Sequence, residues 1–130
     1  MWISVEDIIN FNGLKPKHLN LDKDDEANLT RIVGDWITQC QSLIETYTNQ
    51  KYNDDTVPAA VQNVCLRLTS NMVTLAIQKR DSPIIKVNDW TIQTVSSDIF
   101  TDDLKKDLDT FKVDKSNSSD VIDIFAITGE

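Results

Sequence analysis

Nine apolar side chains, Leu29, Ile32, Val33, Trp36, Ile37, Cys40, Leu43, Ile44 and Tyr47, recur at three- and four-residue steps. Only an α-helix gathers such positions onto one face. The helix is expected to begin near Asp22 or Asp24 and to cover about 24 residues, roughly 36 Å at 1.5 Å per residue. Asp24, Asp25 and Glu26 fall in its first turn, where the positive end of the macrodipole favours them, and Asn49 is the candidate left-handed stop. A stripe of this length must be covered by other helices.

A second helix is expected to start around Thr56 to Pro58, with proline in its first turn, and to run to about Lys79. Val61, Val64, Cys65, Leu68, Met72, Leu75 and Ala76 form one face, widened by Ala60, Leu66, Val73 and Ile77. A surface this broad marks a central helix packed on more than one side. Asp81-Ser82-Pro83 ends it. Upstream, Ser4 and Asp7 predict a capping box for a short helix whose apolar side is Val5, Ile8 and Ile9, with Phe11, and which Gly13 stops. Residues 14–23 read as a loop.

The period then changes. Ile84-Ile85-Lys86-Val87, Asn88-Asp89 and Trp90-Thr91-Ile92-Gln93-Thr94-Val95 read as a β-hairpin around a two-residue turn. Alternation puts Trp90 and Ile92 on one face. A lone hairpin is marginal in water, so these two side chains are candidate contacts with the helices or a neighbouring subunit. A closing helix follows, with Thr101 as N-cap, Asp102 and Asp103 on the dipole, and Leu104, Leu108 and Phe111 as its apolar row. Residues 113–120 have the composition of a linker. Beyond them Val121, Ile122, Ile124, Phe125 and Ile127 form an apolar cluster, a candidate docking element. The expected fold is therefore mainly α: a small bundle of about four helices with one β-hairpin and an extended C-terminal tail. Residues 1–112 form the helical domain and 113–130 the linker and apolar tail.

Charge narrows function. Thirteen Lys and Arg against twenty-one Asp and Glu leave −8. Residues 1–65 carry 5 basic and 10 acidic side chains and residues 66–130 carry 8 and 11, so the acidity is distributed (−5 and −3). Such a chain is a poor non-specific DNA binder. No uncharged run exceeds eleven residues, as in 68–78, which is too short to span a bilayer. The start has no basic n-region or apolar h-region, so cytoplasm is the expected compartment. The triplets at Asn28 and Asn117 then read as chance matches to the glycosylation signal.

Candidate chemistry is sparse. His18, the single histidine, reads as a solvated loop residue; a general base would want an oriented partner, and the sequence suggests none. Cys40 and Cys65 fall on apolar helix faces and read as core; with one histidine, no zinc pattern can be assembled. Asp22-Lys23-Asp24-Asp25-Glu26 fails as a calcium loop, because its sixth position is Ala27 and its twelfth is Val33. Gly13, Gly34 and Gly129 are the only glycines, so no glycine-rich phosphate loop exists. Asp54-Asp55 and Asp102-Asp103 sit at helix starts, and Lys79-Arg80 and Lys105-Lys106 read as solvated helix faces. No enzyme and no cofactor is expected.

The order of elements carries a resemblance. A long apolar helix ends in Leu43-Ile44-Glu45-Thr46-Tyr47-Thr48, a turn follows with Tyr52, and Val57-Pro58-Ala59-Ala60-Val61 opens a second long helix. Then come the hairpin, Val87-Asn88-Asp89-Trp90-Thr91-Ile92, and a closing helix with Leu104, Leu108 and Phe111. Over residues 1–112 this resembles the head–tail connector (adaptor, or head-completion) proteins of long-tailed DNA bacteriophages. Members often have Gly-Arg after the Tyr-Thr turn; here Asn49-Gln50-Lys51 stands. The resemblance implies a structural virion protein at the neck, made in the host cytoplasm. Its partners would be the portal protein, neighbouring copies in a dodecameric ring, and a stopper or tail-completion protein below. Genomic DNA would pass through without specific binding, and no membrane is involved. The rival reading is a small acidic helical regulator or inhibitor that binds a host protein. An enzyme lacks its motifs, and a helix-turn-helix DNA binder is disfavoured by charge.

Overall fold

The computed structural model describes residues 1–79 and 99–113. Among these the chain is mainly helical, with α1 (Val5–Asn12), α2 (Glu26–Thr48), α3 (Ala59–Lys79) and α4 (Asp102–Leu108), plus two 3-10 turns, Pro16–Leu19 and Asp109–Phe111. The expected hairpin, Trp90 and Ile92 included, lies outside the described residues, as does the tail from 114 on.

Local chemistry sets the ends. Ser4 Oγ accepts from Asp7 N, and the Asp7 carboxylate accepts from Ser4 N, each at 3.0 Å, so the expected capping box forms. Asp25, not Asp22 or Asp24, caps α2: its side chain accepts from Asn28 N, because the preceding residues turn back on themselves through Asp25 N to Asp22 O. Gly13, at φ 59°, and Asn49, at φ 60°, stop α1 and α2 in the left-handed region as expected. Pro58 stands one position outside α3, where its carbonyl accepts from Gln62 N at 3.0 Å. Thr101 holds the N-cap backbone of α4 at ψ 163°, but its hydroxyl makes no capping bond.

Residues 14–23 are more than a loop. Pro16–Leu19 winds into a 3-10 turn, and Leu14, Pro16 and Leu19 are buried. His18 is part of that turn, its Nδ1 accepting from Lys15 N at 3.0 Å.

Three rows on α3 organise the bundle. Val61, Cys65, Leu68 and Met72 are fully buried, and α3 packs along α2. Gln62, Leu66 and Ser70 face α1: Gln62 donates to Trp2 O at 3.2 Å, and Asn12 donates to Ser70 Oγ at 3.2 Å. Arg67 and Asn71 face α4: Arg67 pairs with Asp107, and Asn71 Nδ2 donates to Ile99 O at 2.9 Å. The last two rows lie about 100° apart around the helix. So α3 is central, with α1 and α4 on different flanks of the antiparallel α2–α3 pair.

Most of the expected core residues are fully buried, and Val5, Ile9, Leu43, Tyr47, Leu66, Leu75, Ile77 and Phe111 are half-buried against them. Two expectations differ. Phe11 is 62% exposed, because Ile8 already turns the inner face of α1 to the core and Phe11 falls on its outer edge. Ala60 is exposed in the first turn of α3. The core also takes Trp2, Ile99 and Phe100 from outside the long helices.

Candidate functional site

The seven candidate interface residues, Trp90, Ile92, Val121, Ile122, Ile124, Phe125 and Ile127, lie outside the described residues. What the bundle determines is where the chain that carries them departs. Segment 80–98 leaves after Lys79 at one end of α3 and re-enters at Ile99. The C-terminal segment leaves after Val113, at the opposite end, where α2 stops. Those ends are separated by the length of α3, 21 residues or about 30 Å.

The C-terminal exit is held firmly. Thr48 O, which α2 leaves without an intrahelical donor, accepts from Val113 N at 2.7 Å. Asn49 Nδ2 donates to Val113 O at 3.1 Å, and Gln50 Nε2 donates to Phe111 O. Tyr47 Oη donates to Asp109 Oδ1 at 2.6 Å. The Lys112 ammonium sits 4.7 Å from the Tyr47 ring centroid, and Phe100 meets the same ring edge-on at 5.3 Å. The hydrogen bond to Asp109 raises the Tyr47 phenol above its usual value near 10, with the negative charges of Asp109 and Asp102 adding to it.

An outer groove runs between α1 and α3. Ile3, Phe11 and Leu66 supply apolar surface, and Asp7, Asn10, Gln62 and Asn63 rim it, enclosing about 550 Å³. It opens beside α1, whereas the exit at Val113 is bonded to the C-terminal end of α2.

Chemistry inside the bundle is inert. Cys40 and Cys65 are buried free thiols. Burial pushes Cys65 up to about 12 and Cys40 higher still, against a small downward pull from the neighbouring Thr69 hydroxyl. Thiols held this far from ionisation are poor nucleophiles and poor metal ligands at neutral pH. Among the described residues no three His, Cys, Asp or Glu side chains gather into a metal-holding group, and no helix is long and apolar enough to cross a membrane.

Sequence reasoning placed the apolar rows but missed the exit latch and the outer groove. The groove was legible in part, since Phe11 lies off the arc of Val5, Ile8 and Ile9. The latch joins positions more than sixty residues apart, and no local pattern encodes it. Compared with known proteins, the chain matches no family model, no curated protein sequence and no solved structure.

Proposed function

We propose that the chain is the subunit of a head–tail connector ring in the neck of a long-tailed DNA bacteriophage. The observation that supports it is the two-ended arrangement. Segment 80–98, which carries Trp90 and Ile92, leaves at the Lys79 end of α3 and returns at Ile99 and Phe100 beside Asn71 and Tyr47, while the segment carrying Val121 to Ile127 leaves from Val113 at the end where α2 stops; separate departure points give one subunit two candidate contacts. A piece seated between two partners needs such polarity. In this reading the portal lies on one side and a stopper or tail-completion protein on the other. Neighbouring copies close a ring, and Asp and Glu line the channel so that DNA slides without sticking.

The test is assembly. Native mass of the purified chain, and its addition to DNA-filled capsids that carry a portal but no neck, should give a closed ring on the portal vertex. A chain that stays monomeric in both settings ends this reading. Replacing Trp90 by Ala should weaken assembly or stability; if it changes neither, the predicted hairpin is no contact element.

A further inference from the structure

Asn12-Gly13 is the one Asn-Gly pair in the sequence. A glycine after asparagine leaves the backbone nitrogen unhindered, so an unrestrained pair of this kind attacks itself. The Gly13 nitrogen bonds to the Asn12 side-chain carbonyl carbon, its proton passes to the leaving group, and Nδ2 departs as ammonia. Water then opens the cyclic imide at either carbonyl, giving aspartate at 12 or the isomer whose backbone runs through the side chain. One water enters and one ammonia leaves, and nothing is oxidised or reduced.

The folded chain opposes each requirement of that attack. Asn12 is the last residue of α1, and helical side chains lean toward the preceding turn, away from the following nitrogen. Its Nδ2 is held there by two acceptors, Ile8 O at 2.9 Å and Ser70 Oγ at 3.2 Å. The nucleophile is engaged as well: Gly13 N–H donates to Ile9 O, with Gly13 at φ 59° and ψ 38°. Leu14, buried and bonded through its own N–H to Ile9 O at 3.0 Å, fixes the chain beyond the turn. Of these partners Ser70 belongs to α3, so the restraint is complete when α1 is seated on α3 and weakens when it lifts.

The product does not suit the same place. A carboxylate accepts and does not donate, so at 12 it would face the Ile8 carbonyl, another acceptor. The Ser70 hydroxyl already donates to Leu66 O at 2.8 Å. The new charge also falls at the negative end of the helix, whose last turn has no basic side chain. We infer that Asn12-Gly13 is a deamidation site that the seating of α1 on α3 holds shut, and that its acidic product keeps α1 from seating again. Each opening that runs to the imide is then irreversible, and the pool of chains records how often α1 has lifted.

Ageing of the full chain at mildly alkaline pH tests this, read by peptide mass spectrometry with aspartyl and isoaspartyl forms resolved. In urea, Asn12 should deamidate faster than any other asparagine. In the native chain its rate should be at least about tenfold lower, because reaction waits on local opening. Ser70→Ala, which removes the α3 partner, should recover part of the unfolded rate while the helical circular dichroism signal stays. Equal rates in native and unfolded chains, an unfolded chain that spares Asn12, or a Ser70→Ala rate no higher than the parent's overturns the site or its gating by α3. The aged pool is then separated by charge, and its deamidated fraction is compared with the parent by hydrogen exchange. Amides of α1 should exchange faster in that fraction while those in the middle of α3 stay unchanged. Equal α1 protection in the two fractions overturns the claim that the product cannot seat.

Discussion

Tyr47 Oη and Asp109 Oδ1 meet at 2.6 Å across 62 residues of sequence, closing the end of α4 onto the end of α2. The phenol must be protonated to donate, and the hydrogen bond raises its ionisation above the usual 10. A phenol raised in the folded state stabilises the fold fully below the unfolded value and ceases to as pH climbs through the folded one. Ultraviolet titration should show a tyrosine component with a midpoint above 10 that vanishes in Tyr47→Phe and moves down in Asp109→Ala. An unchanged midpoint in Asp109→Ala would mean the pair is not formed in solution.

The same latch should register in hydrogen exchange. The Val113 amide, bonded to Thr48 O, is expected to exchange slowly in the native chain and faster in Tyr47→Phe, while amides in the middle of α3 stay unchanged. Equal protection of Val113 in both proteins would separate the exit from the Tyr47 contact.

Leu68 lies at the centre of α3 with no exposed surface. Leu68→Ala should lower stability by about 2–5 kcal/mol in chemical denaturation. A loss below roughly 0.5 kcal/mol is what a surface position gives and would contradict the packing of α3 on α2.

Trp2 is the least helical part of the core, yet only 6% of it is exposed. Its ring meets Tyr52 edge-on at 5.5 Å, while its backbone N–H donates to Gln41 Oε1 at 2.8 Å and its backbone carbonyl accepts from Gln62. Trp2→Ala should cost about 3 kcal/mol by the usual scale for a buried aromatic, read as a lowered thermal midpoint. A midpoint unchanged within error would place the ring in solvent.

The thiols offer a further check. Burial raises Cys65 to about 12 and Cys40 beyond it, so native protein at pH 8 should resist alkylation and both thiols should react once denaturant is added. Because both folded values are raised, their contribution to stability holds below the unfolded value and is lost as pH rises toward 12. Rapid native labelling would show that the α2–α3 seam opens.

Much of the bundle was legible because its rows are local. The stripe from Leu29 to Tyr47 and the left-handed stops at Gly13 and Asn49 follow from spacing and from the steric freedom those residues keep. Trp2, the Pro16–Leu19 turn and the Ile99-Phe100 pair were not legible. Each is too short to show a period, and each is buried by partners far away in sequence. The candidate site divides the same way: composition singled out the apolar cluster at 121–127, but only the packed helices reveal where its chain is fastened and which outer groove the described residues leave open.

The fastening at Thr48, Asn49 and Gln50 has a mechanical meaning. A pull on residues beyond 113 first loads the Val113 N–H to Thr48 O bond and the two side-chain amides beside it, before it can peel α4 from α3. The load therefore passes to the corner between α2 and α3, and α4 behaves as a cleated line rather than a free rope.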